Sequence, residues 1–280
     1  ITALLKDMFK KVFGTKNKGE LETSLIEQFW YPKYGPGQLW ETAANKVKEL
    51  GGKILTGCQV KKIMCEGRKV TSVVCDTVIK IAKGLPYRDF VTVGLLVNKL
   101  NLKNETNKTT LGNIVPDCWI YVQDKGVKLG RIQIFNNWSP YMVEKPEDTG
   151  WIGLEYFCAE GDDFWNMSDE DCVKFATAEL VKMGVISENE VLDSHREKVK
   201  KAYPAYFDTY KHFDTMIKFL DTFPNLYCVG RNGQHRYNNM DHSMLTAMET
   251  ADAIKTGKKS RKDIWNVNTE KEYHEEKSGN

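Results

Sequence analysis

Four runs in the middle of the chain constrain its fold most. They are "FVTVGLLV" at 90–97, "CWIYVQ" at 118–123, "GRIQIFNNW" at 130–138 and "WIGLEYFC" at 151–158. Each concentrates β-branched, aliphatic and aromatic residues over the length of a strand, so the middle of the chain is expected to be a sheet, largely antiparallel. Helical patterns follow it. Residues 168–184 open with Ser168 as N-cap, place Asp169, Glu170 and Asp171 in the first turn and end on Gly184. Residues 197–204 read as a strand and 206–223 as a helix with Phe213, Met216, Ile217 and Leu220 inward. A short strand, "NLYCVG" at 225–230, precedes a polar, glycine-dotted loop and a helix from Asp241 carrying Met244, Leu245, Met248, Ala251 and Ile254. The residues after Thr256 read as an exposed polar extension.

Ahead of the sheet, Ile1, Leu4, Leu5, Met8, Phe9, Val12 and Phe13 share one helical stripe. A chain that starts with Ile1 inside such an element is expected to belong to a longer polypeptide. A second helix spaces Leu39, Trp40, Ala43, Ala44, Val47 and Leu50 on one face, with Trp40 packed inside, and stops at Gly51-Gly52. "KILTGCQVKKIM" and "KVTSVVC" read as a hairpin joined by "CEGR".

Composition limits the function classes. The 280 residues are 41% hydrophobic, enough for a substantial core, and 40 Lys plus Arg nearly balance 38 Asp plus Glu. No bulk field then favours nucleic acid or an anionic membrane, and "KKSRK" in the tail reads as solvated rather than as a nucleic-acid patch. No apolar run has the length of a membrane span. Seven cysteines with no C-x-x-C pair fit reduced thiols in a cytoplasmic protein better than a disulfide framework or a zinc site.

The loop before the last helix carries the chemistry. Gly230 allows close approach of the backbone to a flat group, the helix near Asp241 aims N–H groups into the same space, and Arg231 and Arg236 add charge-assisted donors. The alternative is a long surface loop with Asp241 as an ordinary N-cap.

The stretch "VGRNGQHRYNNMDHSMLTAM" resembles the C-terminal flavin-binding segment of UDP-galactopyranose mutases and their relatives in the amine oxidase and protoporphyrinogen oxidase superfamily. Gly230, Arg231, Gly233, Arg236, Tyr237, Met240 and Asp241 meet the frame G-R-x-G-x-x-R-Y-x-x-M-D without insertion. The resemblance implies FAD as cofactor, held by Gly230, Arg231, Gly233 and the helix start at Met240, Asp241, His242 and Ser243. Arg231 would lie beside the flavin ring and Asp241 would serve the ribityl hydroxyls. "YPKYGPGQLWETAANKVKELGGKI" is similar to a superfamily turn that would bring Gly35 and Gly37 close to the flavin domain. Arg236 and Tyr237 would meet substrate, with Asn137, Tyr156, Glu155 and Arg131 on the sheet face that roofs the cavity. Arg231 and His235 are the catalytic candidates.

The implied fold is α/β (α+β): an antiparallel-sheet substrate domain with helices, plus the C-terminal return of a Rossmann-like FAD domain whose N-terminal part is missing. The expected parts are 1–75 (helical and hairpin), 76–205 (sheet domain), 206–256 (FAD-contacting segment) and 257–280 (polar tail). Two departures stand out. No G-x-G-x-x-G occurs anywhere in the chain, and "CDTVI" runs into "AKGLPYRDF" around Lys80 where relatives carry some tens of further residues. In addition, His235 occupies the position two before Tyr237, near which the mutases use tyrosines. The resemblance implies an FAD-dependent oxidoreductase acting on a small molecule, an amine or a porphyrinogen-like or sugar-nucleotide substrate. A mutase-type isomerase using reduced FAD and a non-catalytic binding module are the alternatives.

Overall fold

A computed structural model describes residues 30–54, 56, 63–72 and 84–267. The chain divides into two compact units at Trp30/Tyr31, and the elements below belong to the second. In chain order they are α1 (Pro36–Glu49), β1 (Met64–Glu66), β2 (Lys69–Ser72), β3 (Tyr87–Val97), β4 (Trp119–Tyr121), β5 (Arg131–Ile134) and α2 (Phe135–Trp138). Then follow β6 (Gly150–Cys158), α3 (Asp163–Asn166), α4 (Asp169–Lys182), β7 (Val191–Pro204), α5 (Phe213–Leu220), α6 (Gly230–Gln234), α7 (Met240–Thr256) and α8 (Lys262–Trp265). The expected middle sheet is five-stranded and antiparallel at every pairing, in the order β4-β5-β6-β3-β7. β1 and β2 form the expected hairpin as a separate pair, and the Asn225 side chain accepts from the Val70 N–H at 3.2 Å. Residues 55, 57–62 and 73–75 of the segments read as that hairpin, and the helical stripe at 1–13, lie outside the described residues.

The sheet has two unlike faces because successive strand residues point to opposite sides. Val91, Val93 and Leu95 pair with Tyr156, Leu154 and Ile152, and all six are fully buried. Helix α4 covers this face. Its Cys172, Ala176 and Leu180, spaced four apart, are likewise fully buried and belong to the same apolar cluster. The helix begins as the sequence predicts: the Ser168 hydroxyl accepts from the Asp171 N–H at 3.0 Å behind a first turn of three acids. Glu179 on this helix accepts from the backbone N–H groups of Lys128 and Leu129, the latter at 3.1 Å, and so ties the segment before β5 to α4. Arg196, the one charged side chain of β7 buried on this side, donates to the carbonyls of Trp165 and Met167 at 2.8 Å each and pairs with Asp169 at 2.7 Å. It satisfies carbonyls at the end of α3, where the backbone has no helical partner of its own.

Several expectations are corrected. The run 130–138 is a strand only to Ile134, after which Phe135 starts a helical turn. Asn136 holds that turn by donating to the carbonyls of Pro146 and Thr149 and accepting from Trp151 N–H. Residues 226–229 do not form a strand, for although Val229 is extended, it pairs with no strand among the described residues. Residues 206–223 divide into a 3₁₀ turn, Asp208–His212, and α5. Trp40 is 48% exposed rather than packed inside, and α1 buries none of its residues. The apolar stripe of α7 is also largely open, with Met248 at 63% and Ile254 at 62%. Periodicity announces an apolar face, but it does not supply the surface that covers it.

The tail is corrected too. Arg261, Ile264 and Trp265 are buried. Arg261 donates to the carbonyls of Phe223 (2.6 Å) and Asp221 (3.2 Å), while Trp265 packs against Phe213 and donates to the Asp221 carboxylate at 3.2 Å. The chain after α7 therefore closes a second, smaller core around Phe213, Met216 and Trp265. Trp265→Ala should destabilise the protein by about 3–5 kcal/mol, measured by denaturant unfolding. An effect near zero would return residues 257–267 to the status of a solvated tail.

Candidate functional site

The face of the sheet opposite α4 carries polar groups. Glu155 sits between Thr92 on β3 and Arg131 on β5, so it points away from the apolar core that receives its neighbour Tyr156. Arg131 and Glu155 are 8% and 6% exposed. The guanidinium donates through Nε at 2.9 Å and Nη2 at 2.5 Å to Glu155 Oε2, and Gln133 Nε2 donates to Oε1 at 2.8 Å. Arg131 Nη2 also reaches the Tyr203 hydroxyl at 3.1 Å. A buried carboxylate is tolerated when a charge partner and further donors meet its oxygens, as here.

Tyr203 carries the network to the C-terminal loop. Its ring stacks with Tyr237 at 6.0 Å and 25°, and the Arg231 guanidinium lies over both rings, 5.2 Å from Tyr203 and 4.8 Å from Tyr237. Arg231 is pinned by donating through Nε to the Asn238 carbonyl at 2.9 Å and through Nη1 to the Ala202 carbonyl at 3.1 Å. Among the described residues Nη2 has no hydrogen-bond partner. The loop is thus fastened to the end of β7, with a cation held over aromatic faces, an arrangement worth about 0.5–2 kcal/mol per pair.

The expected loop contains a short helix, α6, because Gly230 takes φ +71° at its start and His235 takes the left-handed conformation, φ 46°, at its end. Gly230 N–H donates to Thr246 Oγ1 at 2.9 Å, and a Cβ at Gly230 would lie 3.9 Å from Ser243, so α6 begins directly beside α7. Gly233 is exposed. Helix α7 starts at Met240, one residue before the expected Asp241, and its cap is Asn239. His242 completes a capping box, its Nδ1 accepting from the Asn239 N–H at 3.3 Å, so this histidine is a capping residue and not solvent-facing. Asp241 leaves its carboxylate 70% exposed, 3.5 Å from His242 Nδ1.

Other expected residues sit elsewhere. His235 is 1% exposed, its Nε2 lies 3.1 Å from the Ala205 carbonyl, and its ring is enclosed by Tyr87 at 4.7 Å, Tyr210 at 5.8 Å and Phe213 at 6.0 Å. Among the described residues His235 is a buried ring packed by aromatic side chains, which corrects its catalytic expectation. Tyr156 belongs to the α4-side core, packed on Phe164 and Phe175, where burial and the Glu179 carboxylate push its phenol pKa up; it lies on the face opposite Glu155 and Arg131. Asn137 donates to the carbonyls of Val115 (2.7 Å) and Asp117 (2.8 Å), and so holds a loop instead of lining a site. Arg236 donates to the Trp265 carbonyl and to Tyr210, tying α6 to α8. Gly35, buried with φ 83° beside Met142, and exposed Gly37 stand at the start of α1; no hydrogen bond among the described residues joins them to 230–243.

Sequence reasoning missed Tyr203, Gln133, Asn238 and Tyr206, whose hydroxyl accepts from the Tyr237 N–H at 2.6 Å. Only their contacts across the fold mark them. Among the described residues no group of three or more His, Cys, Asp or Glu side chains could hold a metal ion, and no helix is long and apolar enough to cross a membrane.

The walled-in His235 has a pH consequence. Burial holds its pKa below 6.5, so below that pH the unfolded chain takes up a proton that the folded chain resists. Stability should fall as pH drops through 6.5, by at most ~1.4 kcal/mol per pH unit, until the folded value is reached. His235→Asn, which keeps a left-handed backbone and a donor for Ala205, should flatten that slope in denaturant titrations; an unchanged slope would remove His235 as its source.

No family model matches the chain, and no curated protein matches it in sequence. Among solved structures, reduced UDP-galactopyranose mutase aligns with a TM-score of 0.64 over 85% of this chain at 16% identity, and the chain covers 55% of that enzyme. A protein from Exiguobacterium sp. 255-15, proposed to be a protoporphyrinogen oxidase, aligns with a TM-score of 0.47 over 69% of this chain at 12% identity, with 46% of its own length covered. The chain spans about half the length of these structures. Over the part it spans, it has the fold of UDP-galactopyranose mutase.

Proposed function

We propose that this chain provides the substrate-facing sheet and the flavin-contacting return segment of an FAD-dependent enzyme of the oxidoreductase or mutase type. The observation that carries this reading is Arg231, a half-buried cation fixed in the 230–243 turn and coupled through Tyr203 to the Arg131–Glu155 face. The residues fit one half of such a cofactor. Gly230 leaves bare backbone beside α7, exposed Gly233 does so beside Cys228, Arg231 Nη2 is open to a ligand, and the exposed Asp241 carboxylate can accept hydrogen bonds from hydroxyls but repels phosphate. These groups suit the ring and its hydroxylated chain. The diphosphate would need donors of the G-x-G-x-x-G type, which the sequence does not contain.

When bound, FAD would supply the two-electron chemistry. Arg231 would hold positive charge against the ring and favour the state carrying negative charge. Asp241 would orient the hydroxylated chain, and Tyr237, stacked with Tyr203 and contacted by Arg231, would form the wall shared with substrate. The polar groups of the sheet face (Arg131, Glu155, Gln133) favour a hydroxyl-bearing substrate such as a sugar nucleotide over a porphyrinogen, for which an apolar cavity would be expected.

The test is a visible spectrum of the protein expressed from its complete reading frame, with and without added FAD. Absorption near roughly 375 and 450 nm that bleaches with dithionite is expected. Arg231→Ala should weaken flavin retention and lower the reduction potential, Arg231→Lys should restore part of the potential, and exposed Lys255→Ala should change neither. A protein that stays colourless with FAD, or an Arg231→Ala protein with unaltered loading and potential, would overturn the assignment.

A further inference from the structure

The turn that carries Arg231 also holds the one Asn-Gly pair of the 280 residues, Asn232-Gly233. Both residues are exposed. Elsewhere asparagine amides hold the chain together: Asn104 donates to Thr110 Oγ1 at 3.2 Å, Asn166 to the Gly161 carbonyl at 2.9 Å, and Asn136 and Asn137 to loop carbonyls. The Asn232 amide makes no hydrogen bond among the described residues. Its neighbours are fastened by their own groups, Gly230 to Thr246, Arg231 to Ala202 and Asn238, and Gln234 to Ile264. Asn232 belongs to α6, a single turn of five residues, and its carbonyl accepts from the His235 N–H at 3.4 Å, longer than the ~3.2 Å of an ordinary bond.

We propose that Asn232-Gly233 is a self-modification site, at which the folded protein converts the Asn232 side-chain amide into a carboxylate. Both reacting groups lie in the chain, and water is the co-reactant. The Gly233 nitrogen gives its proton to hydroxide and attacks Asn232 Cγ. The new C–N bond closes a five-membered imide, the Cγ–Nδ2 bond breaks, and ammonia leaves with a proton taken from water. Water then opens the imide at Cγ, which leaves an aspartyl group, or at the main-chain carbonyl, which leaves the isoaspartyl isomer. Glycine suits the attacking position because it has no Cβ to obstruct the rotation and the widest choice of φ and ψ. A one-turn helix has no cooperative length with which to resist that rotation.

The product changes the charge of the turn. Between Gly230 and Ser243, Arg231 and Arg236 oppose Asp241, so with histidines counted as neutral the segment carries one net positive charge, which the new carboxylate cancels. The isoaspartyl form also lengthens the backbone by one methylene beside Arg231. In the proposed flavoprotein such a turn holds the negatively charged state of the flavin less well. That consequence rests on the flavin assignment, whereas the conversion itself does not.

Incubation of the full chain in neutral and mildly alkaline buffer, followed by peptide mass spectrometry and labelling with an isoaspartyl methyltransferase, tests the site. Conversion at residue 232 is expected, faster at the higher pH because the attacking nitrogen must lose its proton. Exposed Asn107, which precedes Lys108 in place of a glycine, is the internal control and should convert about tenfold more slowly or less. Gly233→Ala should slow conversion at 232 by a similar factor of about ten. Its Cβ would come no nearer than 3.7 Å, to the Cys228 backbone, so the variant is expected to fold. Asn232→Asp, which carries the product charge from the start, should lower the reduction potential of bound flavin. No conversion at 232 in the folded protein over the time in which the urea-unfolded chain converts, equal rates at Asn232 and Asn107, or an unchanged rate in Gly233→Ala would each overturn the proposal. A chain that converts but stays colourless with FAD would overturn the flavin assignment and uphold the site.

Discussion

Alternation along β6 is the constraint on which the rest of the molecule depends. Glu155 and Tyr156 are neighbours in sequence and cannot share a face. Tyr156 goes into the apolar layer under α4 with Val91 and Leu154, and Glu155 is left to the other side with Arg131. The same alternation on β5 sends Ile132 and Ile134 to one face and Arg131 and Gln133 to the other. One layer can then be packed for stability while the second is free to carry charged groups.

The charged layer costs desolvation, and its geometry offsets that cost. Arg131 and Glu155 meet through two donors on one carboxylate oxygen, and Gln133 meets the other. Removing either charge alone would leave its partner buried without compensation, which typically costs 3–5 kcal/mol. Such a network has one arrangement of low energy, so it also fixes the Tyr203 hydroxyl and, through that ring, the position of Arg231. The sheet face and the C-terminal turn are positioned as one unit.

The turn itself is held from three sides. Arg231 reaches the end of β7, Gly230 docks on Thr246 of α7, and Gln234 and Arg236 reach the carbonyls of Ile264 and Trp265. The segment after α7 is therefore part of the support of this turn, although its Lys-rich sequence reads as tail. His235 fills the space behind the turn as a buried neutral ring.

The sequence by itself determined the antiparallel sheet and the capped helix from Ser168, because period-two patterning and capping chemistry are local signals. It also grouped Arg131 and Glu155 with Tyr156 and Asn137 on one sheet face. Only the tertiary structure decided among these, since side-chain direction depends on register and hydrogen-bond partners come from distant segments. The same reason explains the burial of His235 and Trp265 and the exposure of Trp40. A polar or apolar residue declares a preference for an environment, but which environment it receives is set by whatever surface the fold brings against it.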